Sequence, residues 1–387
     1  MKICQGSCMR SVRELCRTYL VLIILASLVM DAGACIFPDK QGQPVKIGLL
    51  IPDNRSVAAR QGAEMAIMKA NENGGLNGSP FQLVIRSLEG PWGTGSKEAV
   101  NLIFEEKVWA ILGSHDGRNA HLVEQACTKA GVVFVSAWAS DPTLSQAFVP
   151  WFFNCVPTDL QQSAALIEEI YYKREFNKVA TISDNDYDSR QALDNFLKLK
   201  RARLTKKSEP VLFSLEKYSN FNTLADQVNS AEINCVVLFC RPGVSLKIIQ
   251  AFNQKKMKQP VFGPLFLLNE NELSMNELLK LDKLLLVPSG GWPESKTNLF
   301  RDEFRKIYKE MPGMVAAYSY DAMNMLIDAI RTAGENKREK IQKSIAQIKY
   351  EGVTGTIQFD RSGNRTGDFI ITELENGYPV VLNSINN

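Results

Sequence analysis

The feature that most constrains this sequence is a regular alternation of short apolar runs with segments of helical periodicity. The run from Val45 to Ile51 (VKIGLLI) has the length of a strand. The next segment spaces its alanines three or four residues apart and ends at Asn73-Gly74-Gly75, which is typical of a helix C-terminus. Strands that are apolar throughout and separated by helices indicate a parallel sheet covered on both faces. The pattern predicts further strands at 81–85, 108–112 and 132–136, and helices at 97–106 and 120–130.

A second series of the same kind follows a break at Asp141-Pro142 and at Trp151–Asn154. Thr158 and Gln161 have capping-box spacing, which predicts the start of a helix. One open sheet of about ten or more parallel strands would be unusual, so we predict two sheets in two domains. The predicted strands are 178–183, 211–215, 235–240 and 261–266, and the predicted helices are 189–200, 221–231 and 244–255.

The C-terminal part of the chain does not continue the alternation of strands and helices. Helices are predicted at 298–310, 318–333 and 338–348, followed by strand-like segments at 356–359, 369–375 and 378–382. Asn376-Gly377 lies between two alternating runs, which is a strong hairpin signature. The fold class is therefore α/β, with mostly parallel sheets and a terminal antiparallel hairpin.

Composition excludes several classes of protein. The 387 residues include 45 Lys+Arg, 42 Asp+Glu and 45% hydrophobic residues, which is ordinary for a globular chain and rules out disorder or a collagen-like fold. A net charge of +3 without a long basic block argues against nucleic acid as a partner. The sequence has no nucleophile elbow, HExxH or P-loop motif, so we expect neither a catalytic site nor a metal or organic cofactor.

The N-terminal residues 1–34 are predicted to be a secretory signal peptide. Basic residues precede an apolar run of 13 residues, Thr18–Met30, and Ala32-Gly33-Ala34 then precedes Cys35. The run is too short to span a bilayer comfortably. A lipobox with lipidation of Cys35 and a plain cut after Ala34 are equally compatible with these residues. In both cases we expect export, either to the periplasm or to a lipid anchor at Cys35.

Four cysteines remain in the body of the chain: Cys127, Cys155, Cys235 and Cys240. Cys235 and Cys240 bracket one apolar run at an odd spacing, so a strand there would point them to opposite faces and they could not pair. Export permits disulfides, but the spacing does not require any. We therefore interpret all four as small buried apolar residues.

Five segments carry a resemblance to a known family. They are GAEMAIMKANENGGLNG (62–78), ILG (111–113), VSAWASDPTLSQ (135–146), AYSYDAMNMLIDAI (317–330) and EGVTGTIQFDRSGNRTGDFIITELENG (351–377). In order and spacing they resemble the type I periplasmic binding proteins of the leucine/isoleucine/valine-binding family. The resemblance implies two Rossmann-like lobes joined by a three-segment hinge. It places lobe one at residues 43–157 plus 289–350 and lobe two at residues 158–288 plus 351–387.

The candidate ligand site lies in the loops that follow the strands, because ligands of open α/β sheets bind beyond the carboxyl ends of the strands. The resemblance adds that the hydroxyl of Ser140 and the backbone near Trp138 contact the ligand, and that Tyr187 is the aromatic residue of the second lobe. His115 has no partnered Cys or Asp pattern and is interpreted as a polar loop residue. The candidate residues are Ser114, His115, Asp116, Gly117, Trp138, Ala139, Ser140, Asp186, Tyr187 and Arg55.

Two departures from the family pattern affect the ligand. The family position whose serine binds the ligand carboxylate aligns with Gly117 in this sequence. The family position whose acidic residue binds the ligand ammonium aligns with Leu265. A zwitterion needs both partners, since desolvated charges without them are costly. Other residues could supply these functions: Arg55 or Arg118 for the carboxylate, and Asp116, Asp184 or Asp186 for the ammonium.

The function implied by the resemblance is solute capture. An exported, monomeric protein would bind an amino acid or a related amide or carboxylate between its lobes and deliver it to an ABC permease. The alternative is a sensor whose closed form reports to a signalling partner. The residues leave the identity of the ligand open.

Overall fold

The computed structural model describes residues 42–146, 150–204, 209–215, 220–290 and 292–382. The predicted signal peptide and Cys35 lie outside the described residues. The strands are β1 (Val45–Ile51), β2 (Phe81–Ser87), β3 (Ala110–Gly113), β4 (Val133–Ser136), β5 (Phe152–Asn154), β6 (Val179–Ser183), β7 (Val211–Ser214), β8 (Cys235–Phe239), β9 (Val261–Phe262), β10 (Leu285–Ser289), β11 (Tyr350–Gly352), β12 (Gly355–Ile357), β13 (Ile370–Glu375) and β14 (Tyr378–Val381).

Helices follow most of the strands. Two of them, α2 and α4, continue as π-helical turns, and short 3₁₀ turns occur at 142–145, 265–268 and 279–281. The α-helices of the described residues are α1 (Ala58–Glu72), α2 (Thr94–Val100), α3 (Gly117–Ala130), α4 (Asp159–Ile167), α5 (Tyr187–Arg203), α6 (Phe221–Ser230), α7 (Pro242–Gln254), α8 (Met275–Leu278), α9 (Glu294–Tyr308), α10 (Met314–Ala333) and α11 (Arg338–Ala346).

The strands form two large sheets, as the sequence predicts. The first has the order β2-β1-β3-β4-β5 and is parallel throughout. The second has the order β14-β13-β10-β9-β8-β6-β7, in which β13 pairs antiparallel with both β14 and β10 and the other pairs are parallel. The hairpin predicted at Asn376-Gly377 is the β13–β14 turn. The strands β11 and β12 form a separate antiparallel pair.

Both faces of the first sheet are buried, which explains its apolar strands. In β1, Ile47 and Leu49 pack into the core with α1 and α10, while Leu50 packs into the core on the opposite face. The helices α1 and α10 approach closely at Gly62, where an added Cβ atom would lie 2.2 Å from the carbonyl oxygen of Ala316. Gly62 is therefore required by the close packing of α1 against α10.

The second sheet is buried in the same way. Along β8, Cys235 packs on one face and Val236 on the other, and the alternation continues to Cys240, which lies on the face opposite Cys235. All four cysteines of the described chain are free and buried. Both predictions about the cysteines are confirmed. The capping box at Thr158 and Gln161, which begins α4, is also confirmed.

Two predicted elements differ in the structure. The strand predicted at 261–266 ends at Phe262, because Pro264 has no N–H to donate to a ladder and the chain turns into the 3₁₀ turn Leu265–Leu268. The segment 151–154, predicted as a break, contains the edge strand β5, which pairs with β4. An edge strand needs only one partner, so three residues suffice.

No described helix is both long and apolar enough to cross a membrane. The chain passes between the two cores near Cys155 and Val156, which pack in the first and second core respectively. It passes again near Ser289. Val353, Ile357 and Phe359 pack in the first core, whereas Ile371 packs against the second sheet, so the last passage lies between 359 and 371.

A buried arginine links these passages. The guanidinium of Arg365, only 2% exposed, donates to the carbonyl oxygens of Cys155 (2.9 Å), Thr354 (2.6 Å) and Thr356 (3.1 Å). On the other side of Thr354, the carboxylate of Asp321 accepts from the backbone N–H and the hydroxyl of Thr354, both at 2.7 Å. The buried carbonyls of Cys155 and Thr354, and the carbonyl of the exposed Thr356, thus accept hydrogen bonds from one side chain.

We expect Arg365→Met to lower the free energy of unfolding by about 3 kcal/mol, because buried carbonyls without donors cost about 1–3 kcal/mol each and partly rearrange. Urea denaturation measures this. Arg361→Met is the matched control: Arg361 is exposed, and its replacement should cost less than about 0.5 kcal/mol. Equal losses in the two variants would contradict the role given to Arg365.

Candidate functional site

A cavity of about 680 Å³ lies where the carboxyl ends of both parallel sheets meet. Each of its walls is a loop that follows a strand or opens a helix, as expected for open α/β sheets. The residues that line it from the first sheet are Pro52, Asp53, Arg55, Ser56, Ser114, His115, Asp116, Arg118, Asn119 and Trp138. Those from the second sheet are Asn185, Asp186, Tyr187, Asp188, Arg241, Pro242, Phe266, Asn269, Asn271 and Glu272. The volume lies within the range of small-molecule sites, about 300–1,000 Å³.

The loop after β3 forms the deepest polar wall. Ser114 and His115 are each 1% exposed, and the Ser114 hydroxyl has no hydrogen-bond partner among the described residues. The His115 ring stacks on Phe134 with the ring centroids 5.9 Å apart, and burial lowers its pKa. His115 thus lies in a cavity loop, as the sequence predicts, and its ring is buried in the cavity wall.

Asp116 and Gly117 begin α3. The Asp116 carboxylate accepts from the backbone N–H of Asn119 at 2.9 Å and caps the helix. The N–H of Gly117 donates to Asp188 of the second sheet at 3.1 Å. A Cβ atom at Gly117 would lie 3.0 Å from the Cβ of Asp141 and 3.1 Å from the Asp188 carboxylate. A serine at this position would therefore displace a neighbour, which accounts for glycine here.

Tyr187 connects the two sides of the cavity. It opens α5, and its hydroxyl donates to the Asp141 carboxylate at 3.1 Å. The same carboxylate lies 3.1 Å from Nε2 of His121. Burial alone would raise the pKa of Asp141, but hydrogen bonds from His121 and Thr143 outweigh it and lower the pKa to about 2. The hydrogen bond to Asp141 in turn raises the pKa of His121.

Two of the candidate residues lie behind the cavity. The hydroxyl of Ser140 donates to the buried carboxylate of Asp159 at 2.7 Å, and Ala139 packs with Leu50 in the core on the opposite face of the first sheet. Ser140 instead lines a separate crevice of about 10 Å³. Trp138 contributes to both spaces and separates them. The other residues of the crevice are Val156, Gln162, Leu265 and Phe266.

The remaining candidates lie at the mouth. Arg55 is exposed and pairs with Asp53 at 3.1 Å. Asp186 caps α5 by accepting from the N–H of Asp188 at 3.2 Å. Arg118 lies over the rings of Trp92 and Tyr187, at 5.8 and 5.4 Å from the ring centroids. The structure thus brings seven of the ten candidates to one cavity, while Gly117, Ala139 and Ser140 lie outside its lining.

The sequence interpretation missed the contribution of residues 266–272. Asn269, Asn271 and Glu272 line the cavity, while Glu270 accepts hydrogen bonds from the N–H groups of Val315 (2.8 Å) and Ala316 (2.7 Å) at the start of α10. The prediction of a strand up to Phe266 concealed this loop. Pro264 and the polar run 269–272 were the signs that could have revealed it.

The fold and the site together define a two-lobed α/β binding protein with a polar cleft between its lobes. The chain belongs to the periplasmic binding protein family, whose model matches residues 44–378. The matched relatives are binding proteins and receptors, not enzymes.

Among proteins of known sequence, the chain is 22% identical over 366 residues to Leu/Ile/Val-binding protein homolog 1 of Brucella abortus (strain 2308), covering 91% of this chain and 96% of the relative. It is 27% identical over 206 residues to Glutamate receptor 3.7 of Arabidopsis thaliana, covering 52% of this chain and 21% of the receptor.

Among solved structures, it is similar to the branched-chain amino acid transporter substrate binding protein LivJ from Streptococcus pneumoniae in complex with isoleucine. The TM-score is 0.74 at 20% identity, with 87% of this chain and 98% of the other covered. A solute binding protein of an ABC transporter from R. palustris in complex with benzoate gives a TM-score of 0.73 at 20% identity, with 88% and 95% covered. Both likenesses show a shared fold.

The pair His121–Asp141 predicts a pH-dependent contribution to stability. The pKa of His121 is higher in the folded protein than its unfolded value of about 6.5. The ion pair therefore stabilises the fold fully at pH values below about 6.5, and this contribution is lost as the pH rises through the folded pKa. The lowered pKa of Asp141 gives a contribution that is present above pH 3.8 and lost as the pH falls through about 2. We expect His121→Ala to cost about 1 kcal/mol at pH 5 and less at pH 8.5. Urea denaturation at both pH values tests this, and equal losses would refute it.

Proposed function

We propose that this chain is an exported solute-binding protein that captures a small polar ligand in the cleft and delivers it to an ABC permease. The observation that carries the proposal is a cavity of about 680 Å³ whose walls come from both sheets. The family assignment supports it, and so do the relatives named for leucine, isoleucine and valine. Amino acids and related amides or carboxylates are the ligands to test first.

Ligand capture would work as a shift between open and closed lobes. A ligand that touches Ser114 and Asp116 on one side and Asp186 and Glu272 on the other makes all its contacts only when the lobes are close. Its greater affinity for the closed form then drives closure. The permease would recognise that closed form.

Several protein contacts already span the cleft and would help to set the closed geometry. They include Gly117 to Asp188, Tyr187 to Asp141, Ala58 to Asn271, and Glu270 to the start of α10. Each is a single hydrogen bond or a pair, so the ligand supplies the remaining free energy of closure.

The domain organisation belongs to the same proposal. Residues 1–34 would be the signal peptide, and Cys35 the candidate for lipidation. Lobe one would comprise 43–157 plus 289–350 and lobe two 158–288 plus 351–387. The packing of Val353, Ile357 and Phe359 in the first core favours a final crossing later than 351, between 359 and 371. We expect a monomer.

A sensor remains the second candidate function. The likeness to the plant glutamate receptor, although it covers 21% of that receptor, supports it. In a sensor the closed form would bind a signalling partner instead of a permease. Co-purification with transmembrane transport subunits would favour the first function over the second.

A thermal-shift screen tests ligand capture. The compounds are amino acids, amides, short carboxylates and aromatic acids. A ligand present at 100 times its Kd should add about 2.7 kcal/mol to the free energy of unfolding. We expect at least one compound to raise the melting temperature, and the same compound should lower the radius of gyration in small-angle X-ray scattering.

The control is a variant outside the cleft, Asp302→Asn on the exposed side of α9, which should respond as the wild type does. Catalytic turnover of the stabilising compound would contradict a binding protein. A complete lack of response to the screen would contradict capture of a small polar ligand of these classes.

A further inference from the structure

The cleft is divided into two unequal spaces, and only one can hold an organic ligand. The inner crevice beside Ser140 has a volume of about 10 Å³, enough for about one water molecule. Trp138 and Leu265 are among the side chains that fill it, and the N–H of Leu265 is held at 2.7 Å by Gln162. The ligand must therefore occupy the outer chamber, the cavity of about 680 Å³.

The outer chamber is lined by more carboxylates than cations. The charged residues in its walls are Asp53, Asp116, Asp186, Asp188 and Glu272 against Arg55, Arg118 and Arg241. Arg55 forms an ion pair with Asp53, and the guanidinium of Arg241 forms an ion pair with the carboxylate of Asp184 at 3.3 Å. Arg118 lies over the rings of Trp92 and Tyr187, and burial raises the pKa of Asp188 to about 7. Above that pH, the carboxylates of Asp116, Asp186, Asp188 and Glu272 outnumber this one cation, so the field inside the chamber favours a ligand with positive charge.

Glu272 is the acid in this chamber with the weakest protein partner. Asp116 and Asp186 cap helices, and Asp188 accepts the N–H of Gly117. The Glu272 carboxylate has a contact of 3.4 Å with the side-chain amide of Asn269 and is open to the cleft. It lies seven positions after Leu265, on the loop that enters the chamber from the second sheet.

A second observation on the opposite wall indicates a polar ligand. Ser114 is 1% exposed and lines the same chamber, and its hydroxyl has no partner among the described residues. A buried hydroxyl without a partner is costly. A hydrogen-bonding ligand group in the chamber would satisfy it.

We propose that the outer chamber binds a small organic cation and that Glu272 pairs with its ammonium group. The proposal rests on the proposed function and specifies its ligand class. It also accounts for the missing acid at Leu265: the carboxylate that recognises the ammonium comes from the following loop, because the inner position is filled by apolar side chains.

The pH dependence of binding should follow the ionisation of Glu272. The protein around the chamber partly desolvates this carboxyl, and with the nearby negative charges of Asp186 and Asp184 it raises the pKa to about 7, against the opposing effect of Arg241. Protonation would remove the partner of the ammonium group, so binding should weaken as the pH falls from 8 to 6. The loss should approach about ten-fold.

Isothermal titration calorimetry with lysine, 1,4-diaminobutane, leucine and benzoate tests the proposal on the wild type, Glu272→Gln and Glu310→Gln. Glu310 is an exposed glutamate without a role in the cleft. We expect lysine or the diamine to bind, Glu272→Gln to weaken that binding at least ten-fold at pH 8 and to flatten its pH dependence, and Glu310→Gln to match the wild type. Thermal melting without ligand confirms that both variants fold.

The other outcomes separate the two proposals. If only leucine or benzoate binds, the cation specificity is overturned while solute capture stands. If lysine or the diamine binds equally to the wild type and Glu272→Gln, the assignment of Glu272 is overturned while capture stands. If none of the four compounds binds and the wider thermal-shift screen is also negative, both proposals fail.

Discussion

The structure depends on how the chain passes between its two cores, and Arg365 is the interaction that holds those passages. Its guanidinium supplies donors to carbonyl groups on two chain segments that are far apart in sequence, at Cys155 and Thr354. The carboxylate of Asp321 accepts a hydrogen bond from the backbone N–H of Thr354. A buried arginine is tolerated here because its donors meet carbonyl acceptors, which replaces part of the lost hydration. Without this network, the cleft would lack a fixed pivot.

The cleft itself follows from parallel pairing. In both sheets, the loops after the strands and the first turns of the next helices lie at the same edge. The starts of α3, α5 and α7 therefore line one cavity. Asp116 and Asp186 cap two of these helices, so part of the negative charge in the walls serves the fold. Glu272 caps no helix, and that difference gives it a separate role in recognition.

Most of the fold could be predicted from the sequence, because the relevant interactions are local and periodic. Apolar strands, helical spacing, the Thr158 capping box and the Asn376-Gly377 turn each act over a few residues. The exceptions have local causes too. Pro264 ends β9 early, and β5 is a short edge strand next to proline and aromatic residues. Seven of the ten candidate residues line the cavity, because the loops that follow strands form its walls, whatever their side chains are.

What the sequence by itself determined is the α/β class, the two sheets, and the loops that could meet a ligand. Only the tertiary structure decided which side chains in those loops are free. The hydroxyl of Ser140 donates to Asp159, and a side chain at Gly117 would press against Asp141 and Asp188. The ring of His115 is buried against Phe134. Glu272 enters from the loop that follows β9, which the sequence analysis did not include among the cleft loops. The physical reason is that strand and helix periodicity depend on neighbours in sequence, whereas the accessibility and pairing of a charged group depend on residues brought together from both sheets.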